Sequence, residues 1–156
     1  MEKKFKNEVV FNFQSYHTPV SRAMYVGTFL GFVTAIICLA FWSVYVNILQ
    51  LTMSSYIVNV QTVAFGCLIP LVTCGILYAV LSHYLKSAGS ILASVIYALA
   101  FLWLILVVAK GNYGDTPLHI HQFKLLVIPI LAIIGLVGTI VFPICYRSQK
   151  FADAVL

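Results

Sequence analysis

The stretch KGNYGDTPLHIHQFK, residues 110–124, gathers several of the chain's few ionisable side chains. His119 and His121 form a His-x-His pair, with Asp115 just before it and Lys124 just after it. Histidine is the commonest metal ligand, so the first chemistry this spacing suggests is a metal or anion site. Thr116 followed by Pro117 is also a helix start, with threonine as the N-cap and proline at the first helical position. Successive helical residues turn by about 100°, which sets His119 and His121 about 200° apart. They then do not chelate one ion, and no metal is expected. By the same turn, His121 and Lys124 fall within about 40° of the face that carries Gly135. With Asp115 and His119 they outline a polar mouth able to meet an anionic group. The plainer reading is two boundary histidines and a lysine whose ammonium snorkels to an interface.

Cys38, Cys67, Cys74 and Cys145 are the remaining nucleophile candidates. All four sit in apolar stretches, where cysteine commonly serves as a small packing residue. None lies in a loop that oxidising chemistry would reach. No Ser–His–Asp or Cys–His spacing assigns a nucleophile and its base. The chain is read as non-enzymatic, with no cofactor.

The elements that must position these residues are apolar throughout. Residues 23–85, 87–109 and 125–146 contain no Asp, Glu, Lys or Arg. The composition is 62% hydrophobic and 8% charged, against about 25% charged in soluble domains. A spanning helix needs roughly 20 apolar residues to cross a hydrocarbon core about 30 Å thick. The expected fold is therefore an all-α membrane protein, an antiparallel bundle of four transmembrane helices at residues 22–46, 62–82, 89–109 and 124–146. An interfacial arm over residues 1–21, with Pro19 near its end, precedes the bundle, and a tail over residues 147–156 follows it. The first apolar run far exceeds the 7–15 residues of a signal h-region and is read as an uncleaved helix.

Lys3, Lys4, Lys6, Arg22, Lys86, Arg147 and Lys150 fall on one side of these spans, and only Lys110 and Lys124 on the other. Both termini are accordingly expected to be cytoplasmic. His17 and His83 share that side and complete no site with His119 and His121. The net charge of +5 follows from this bias and from attraction to anionic lipid headgroups, and it requires no nucleic-acid partner. Compact loops suit a bacterial inner (cytoplasmic) membrane.

Inside the spans the clearest pattern is a small residue at every fourth position: Ala23, Gly27, Gly31 and Ala35 in the first, and Gly66, Pro70 and Cys74 in the second. The third carries Ser90, Ser94 and Ala98, and the fourth Gly135, Thr139 and Pro143. Small residues let helix backbones approach where lipid supplies no hydrophobic drive. The stripes are read as packing within the bundle, with the Gly27–Gly31 face as a candidate surface for a second copy or a partner protein. Pro70, Pro129 and Pro143 each remove one helix hydrogen bond, and Thr73 and Thr139 are the hydroxyls placed to compensate.

Several chemistries are excluded by what the spans lack. Ion-coupled carriers place an ionisable residue within the membrane. These spans have none, and so lack the embedded glutamate of small multidrug transporters and the helix arginines of membrane eicosanoid enzymes. Loop cysteine pairs of quinone-linked thiol oxidases and facing helical histidines of b-type cytochromes are missing too. An inverted-repeat transporter is not indicated. The expected function is a non-catalytic accessory, assembly or scaffold subunit, in contact with the bilayer and with a membrane-protein partner or a second copy. The alternative is a pore or carrier for a neutral or apolar solute, lined by Thr34, Thr73, Ser94 and Thr139. A third is an outer-face metal- or anion-binding site at Asp115, His119, His121 and Lys124.

Overall fold

A computed structural model describes residues 19–49, 58–85, 87–114 and 116–148, and every regular element among them is helical. The order is α1 (Pro19–Leu49), α2 (Val60–Leu85), α3 (Ser87–Lys110) and α4 (Pro117–Leu136). A π-helical turn (Val137–Val141) then leads directly into α5 (Phe142–Arg147). α4, the π turn and α5 form one continuous span, so the described chain has four helices long and apolar enough to cross a membrane. The expected N-terminal arm before Pro19, the middle of the loop after α1, Asp115 and the tail beyond Ser148 lie outside the described residues.

Each helix outruns the apolar core that marks it in the sequence, and at the starts of α2 and α4 local caps rather than hydropathy set the end. Pro19 is the first residue of α1 instead of preceding it, a position where its fixed φ suits the helix and its missing N–H costs nothing. Asn59 and Thr62 cap α2 reciprocally: Asn59 Oδ1 accepts from the Thr62 N–H at 2.8 Å, and Thr62 Oγ1 accepts from the Asn59 N–H at 2.9 Å. The Thr116–Pro117 start is where the sequence predicts it. Thr116 is extended (φ −131°, ψ 152°), and its hydroxyl oxygen accepts from the His119 N–H at 3.3 Å.

The tightest packing is between α1 and α2. Gly27 lies against Leu71, Gly31 against Leu68, and Gly75 against Ala23, so ascending positions on one helix meet descending positions on the other. Val26, Thr34, Cys38, Cys67, Leu71, Tyr78, Ile134 and Phe142 are the largest fully buried side chains. α3 contributes only a strip (Ser90, Ala93, Tyr97 and Phe101) to this core and leaves Ile91, Val95, Leu99, Leu102 and Leu106 exposed. A helix apolar on every face is the form expected of a span in lipid.

Pro143 explains the π turn. It has no N–H, and its ring crowds the carbonyl four residues back. The preceding backbone widens by one residue, and the Phe142 N–H bonds the Val137 carbonyl, five back. In an α-helix that N–H would have bonded Gly138, so the wider turn opens the Gly138 carbonyl to another donor. Cys74 of α2 supplies it, its thiol donating to Gly138 O at 3.6 Å.

Candidate functional site

Four regions gather the residues that the sequence singles out. On α1, Ala23, Gly27, Gly31 and Ala35 are all buried. A Cβ on Gly27 would stand 2.7 Å from the Leu71 carbonyl oxygen, and one on Gly31 would stand 3.3 Å from Leu68 Cα. On the facing helix, a Cβ on Gly75 would stand 2.6 Å from the Ala23 carbonyl oxygen. The Gly-x-x-x-Gly face is thus occupied by α2 and is no open surface.

The stripes on the other helices lie differently. Ala98, Gly135 and Thr139 line a groove of about 310 Å³ between α3 and α4, walled by Phe101, Leu102 and Leu131. Ala98 is exposed and Ser94 half-buried. Gly66 has no neighbouring atom within 4 Å of where a Cβ would stand. It lines a second apolar groove, of about 230 Å³, between α2 and α4, with Thr62, Phe123 and Ile130. Pro70, one turn on, is half-buried.

The end of the bundle that holds Arg22 and Arg147 is tied closely. Arg22 donates to the Tyr146 carbonyl at 3.2 Å and lies 5.5 Å from the centroid of that tyrosine's ring. Tyr146 packs edge-on against Tyr78 with centroids 4.9 Å apart, and Arg147 donates to the Ser90 hydroxyl of α3. These contacts join α1, α2, α3 and α5.

The opposite end holds the residues of the expected polar mouth. Lys124 Nζ donates to the Ala109 carbonyl at 2.7 Å, which places a cation on the C-terminal dipole of α3. His119 is half-buried, His121 is exposed, and Asp115 lies outside the described residues. Among the described residues, no three or more His, Cys, Asp or Glu side chains converge to hold a metal.

The hydroxyls expected to compensate the prolines act on other carbonyls. Thr73 donates to Ile69 O at 2.8 Å and Thr139 to Gly135 O at 2.7 Å, each bonding back along its own helix. Ser94 likewise donates to Ser90 O at 3.1 Å.

Cys38 of α1 and Cys67 of α2 are both fully buried, and neither is in a disulfide. The Tyr97 ring of α3 lies over Gly138, where a Cβ would overlap it. Tyr97 Oη is buried without a hydrogen-bond partner. The sequence offers these cysteines as packing residues, and the Tyr97–Gly138 contact depends on a register that spacing does not give.

No family model, curated protein or solved structure matches the chain.

Proposed function

We propose that this protein is a non-catalytic accessory or assembly subunit of a membrane complex, and that it receives a transmembrane helix of a partner protein in the α3–α4 groove. The bundle is antiparallel, with both termini cytoplasmic. The opposed register of α1 and α2 supports the first statement, and the clustering of Lys and Arg beyond the Arg22–Arg147 end supports the second. The compact connections suit a bacterial inner membrane.

The contrast between two small-residue surfaces carries the functional reading. The α1 stripe is consumed by α2, whereas Ala98 and Thr139 border an open apolar groove, with Gly135 buried against Phe101 at its base. In lipid, small residues at a surface allow a second backbone to approach closely, and van der Waals packing then drives association. The carrier reading gains no such support, since the hydroxyls of Thr73, Ser94 and Thr139 are bonded to their own helices and Thr34 is buried. An outer-face binding site gains none either, since Lys124 is engaged by the Ala109 carbonyl.

Affinity purification from native membranes in mild detergent tests the reading. The unmodified chain is expected to retain a membrane protein that Ala98→Phe releases while its own thermal unfolding is unchanged. Retention of the same protein by Ala98→Phe, or recovery of the unmodified chain alone, rejects it.

A further inference from the structure

The end of the bundle tied by Arg22 and Arg147 carries positive charge that no described side chain balances. Arg22 Nη2 donates to the Tyr146 carbonyl at 3.2 Å, so its guanidinium meets the peptide that leads into Arg147. Arg147 is exposed and reaches from the end of the fourth span to the Ser90 hydroxyl in the first turn of α3. Both acceptors are neutral oxygens, and Arg22 Nε is buried with no acceptor. Among the described residues there is no Asp or Glu. Helix dipoles do not make up the difference. The first turns of α1 and α3 and the last turns of α2 and the fourth span gather here. Each end carries roughly half a charge, positive at a start and negative at a finish, so the four nearly cancel. Exposed apolar side chains flank the cations: Ile144 stands one turn before Arg147, and Ile91 follows Ser90 on α3. The anion that suits this surface carries an apolar tail beside its charge, and the guanidinium fork matches phosphate.

We propose that this corner binds one anionic phospholipid, its headgroup phosphate on Arg147 and its acyl chains along Ile144 and Ile91, with Arg22 reinforcing the positive potential. A zwitterionic lipid brings an ammonium group with its phosphate, and the same field disfavours it. The site needs no partner helix. Ser90 and Arg147 each lie eight residues along the chain from Ala98 and Thr139 of the α3–α4 groove, so headgroup and groove are separate places on one seam.

The test is native mass spectrometry of the full-length protein in detergent, titrated with phosphatidylglycerol or with phosphatidylcholine of the same acyl chains. One phosphatidylglycerol per chain is expected, with phosphatidylcholine held more weakly. Arg147→Gln should lower the phosphatidylglycerol affinity about fivefold, the scale of one basic residue at an anionic surface. Lys124→Met removes a cation bonded at the far end of α3 and should leave that affinity unchanged. Equal affinity for the two lipids overturns the proposal, as does undiminished binding by Arg147→Gln. Excess inorganic phosphate at constant ionic strength should not displace the lipid. Displacement would make the ligand a soluble phosphate compound and overturn the lipid assignment. Should Arg147→Gln not fold, a photoreactive phosphatidylglycerol on the unmodified protein decides: adducts on residues 144–147 or on Ser90 and Ile91 support the site, and adducts elsewhere alone refute it.

Discussion

α1 and α2 meet backbone to backbone, while α3 and α4 meet side chain to side chain around an opening. Both pairs carry small residues at four-residue spacing, yet the outcomes differ because of what stands opposite. Gly27 and Gly31 face the Leu71 carbonyl and Leu68 Cα, and the helices close until nothing else fits. Gly135 faces the side chain of Phe101, whose ring holds the backbones apart and leaves Ala98 and Thr139 on a groove wall. A small-residue stripe is therefore only half of a contact. The partner residue decides whether the stripe is consumed within the chain or remains for another helix.

The largest effect separating the two regions is expected from truncation. Leu71→Ala in the seam should lower stability by about 2–5 kcal/mol, the range for a fully buried leucine. Leu102→Ala on the groove wall, 59% exposed, should change it by less than about 0.5 kcal/mol. Denaturant-induced unfolding in mixed micelles, followed by circular dichroism, distinguishes them, and equal losses would erase the distinction.

Next in size is the added methyl group. Gly27→Ala forces a Cβ against a backbone oxygen, which has no side chain to swing aside, and should cost about 1–3 kcal/mol by overpacking. Gly66→Ala meets no atom and should gain about 0.5–1 kcal/mol by removing a mid-helix glycine. Opposite signs in the same unfolding assay sharpen the comparison, and a shared sign breaks it.

The smallest effect lies at the open end. Lys124→Met removes a cation from the C-terminus of α3 and should cost about 0.3–1 kcal/mol, a difference that fades at high salt. A salt-independent loss would mean that the lysine acts through packing instead.

Much of this architecture was legible in the sequence. Charge-free runs locate four spans because lipid tolerates no unpaired charge, and Thr116–Pro117 marks the true start of α4 because capping chemistry is local. Asn59 and Thr62 offered a comparable signal for α2: an asparagine followed three residues later by a threonine. The π turn was less accessible. Pro143 announces a disturbed helix, but which carbonyl is released, and which donor takes it, depends on where α2 stands. The Tyr97 ring over Gly138 and its orphaned hydroxyl were illegible for the same reason, since each requires the register of separate helices. The α1 glycines lie against Leu68 and Leu71 of α2, a partner that sequence spacing alone left open.

In the proposed complex a partner helix seats against α3 and α4 rather than against α1. Photocrosslinking in native membranes tests it most directly, with a photoreactive residue placed at Leu102 on the groove and, in a second variant, at Ile36 on the lipid face of α1, 68% exposed. A discrete protein adduct from position 102 and only lipid adducts from position 36 are predicted. Adducts to protein from position 36 alone, or to lipid alone from both positions, would contradict the account.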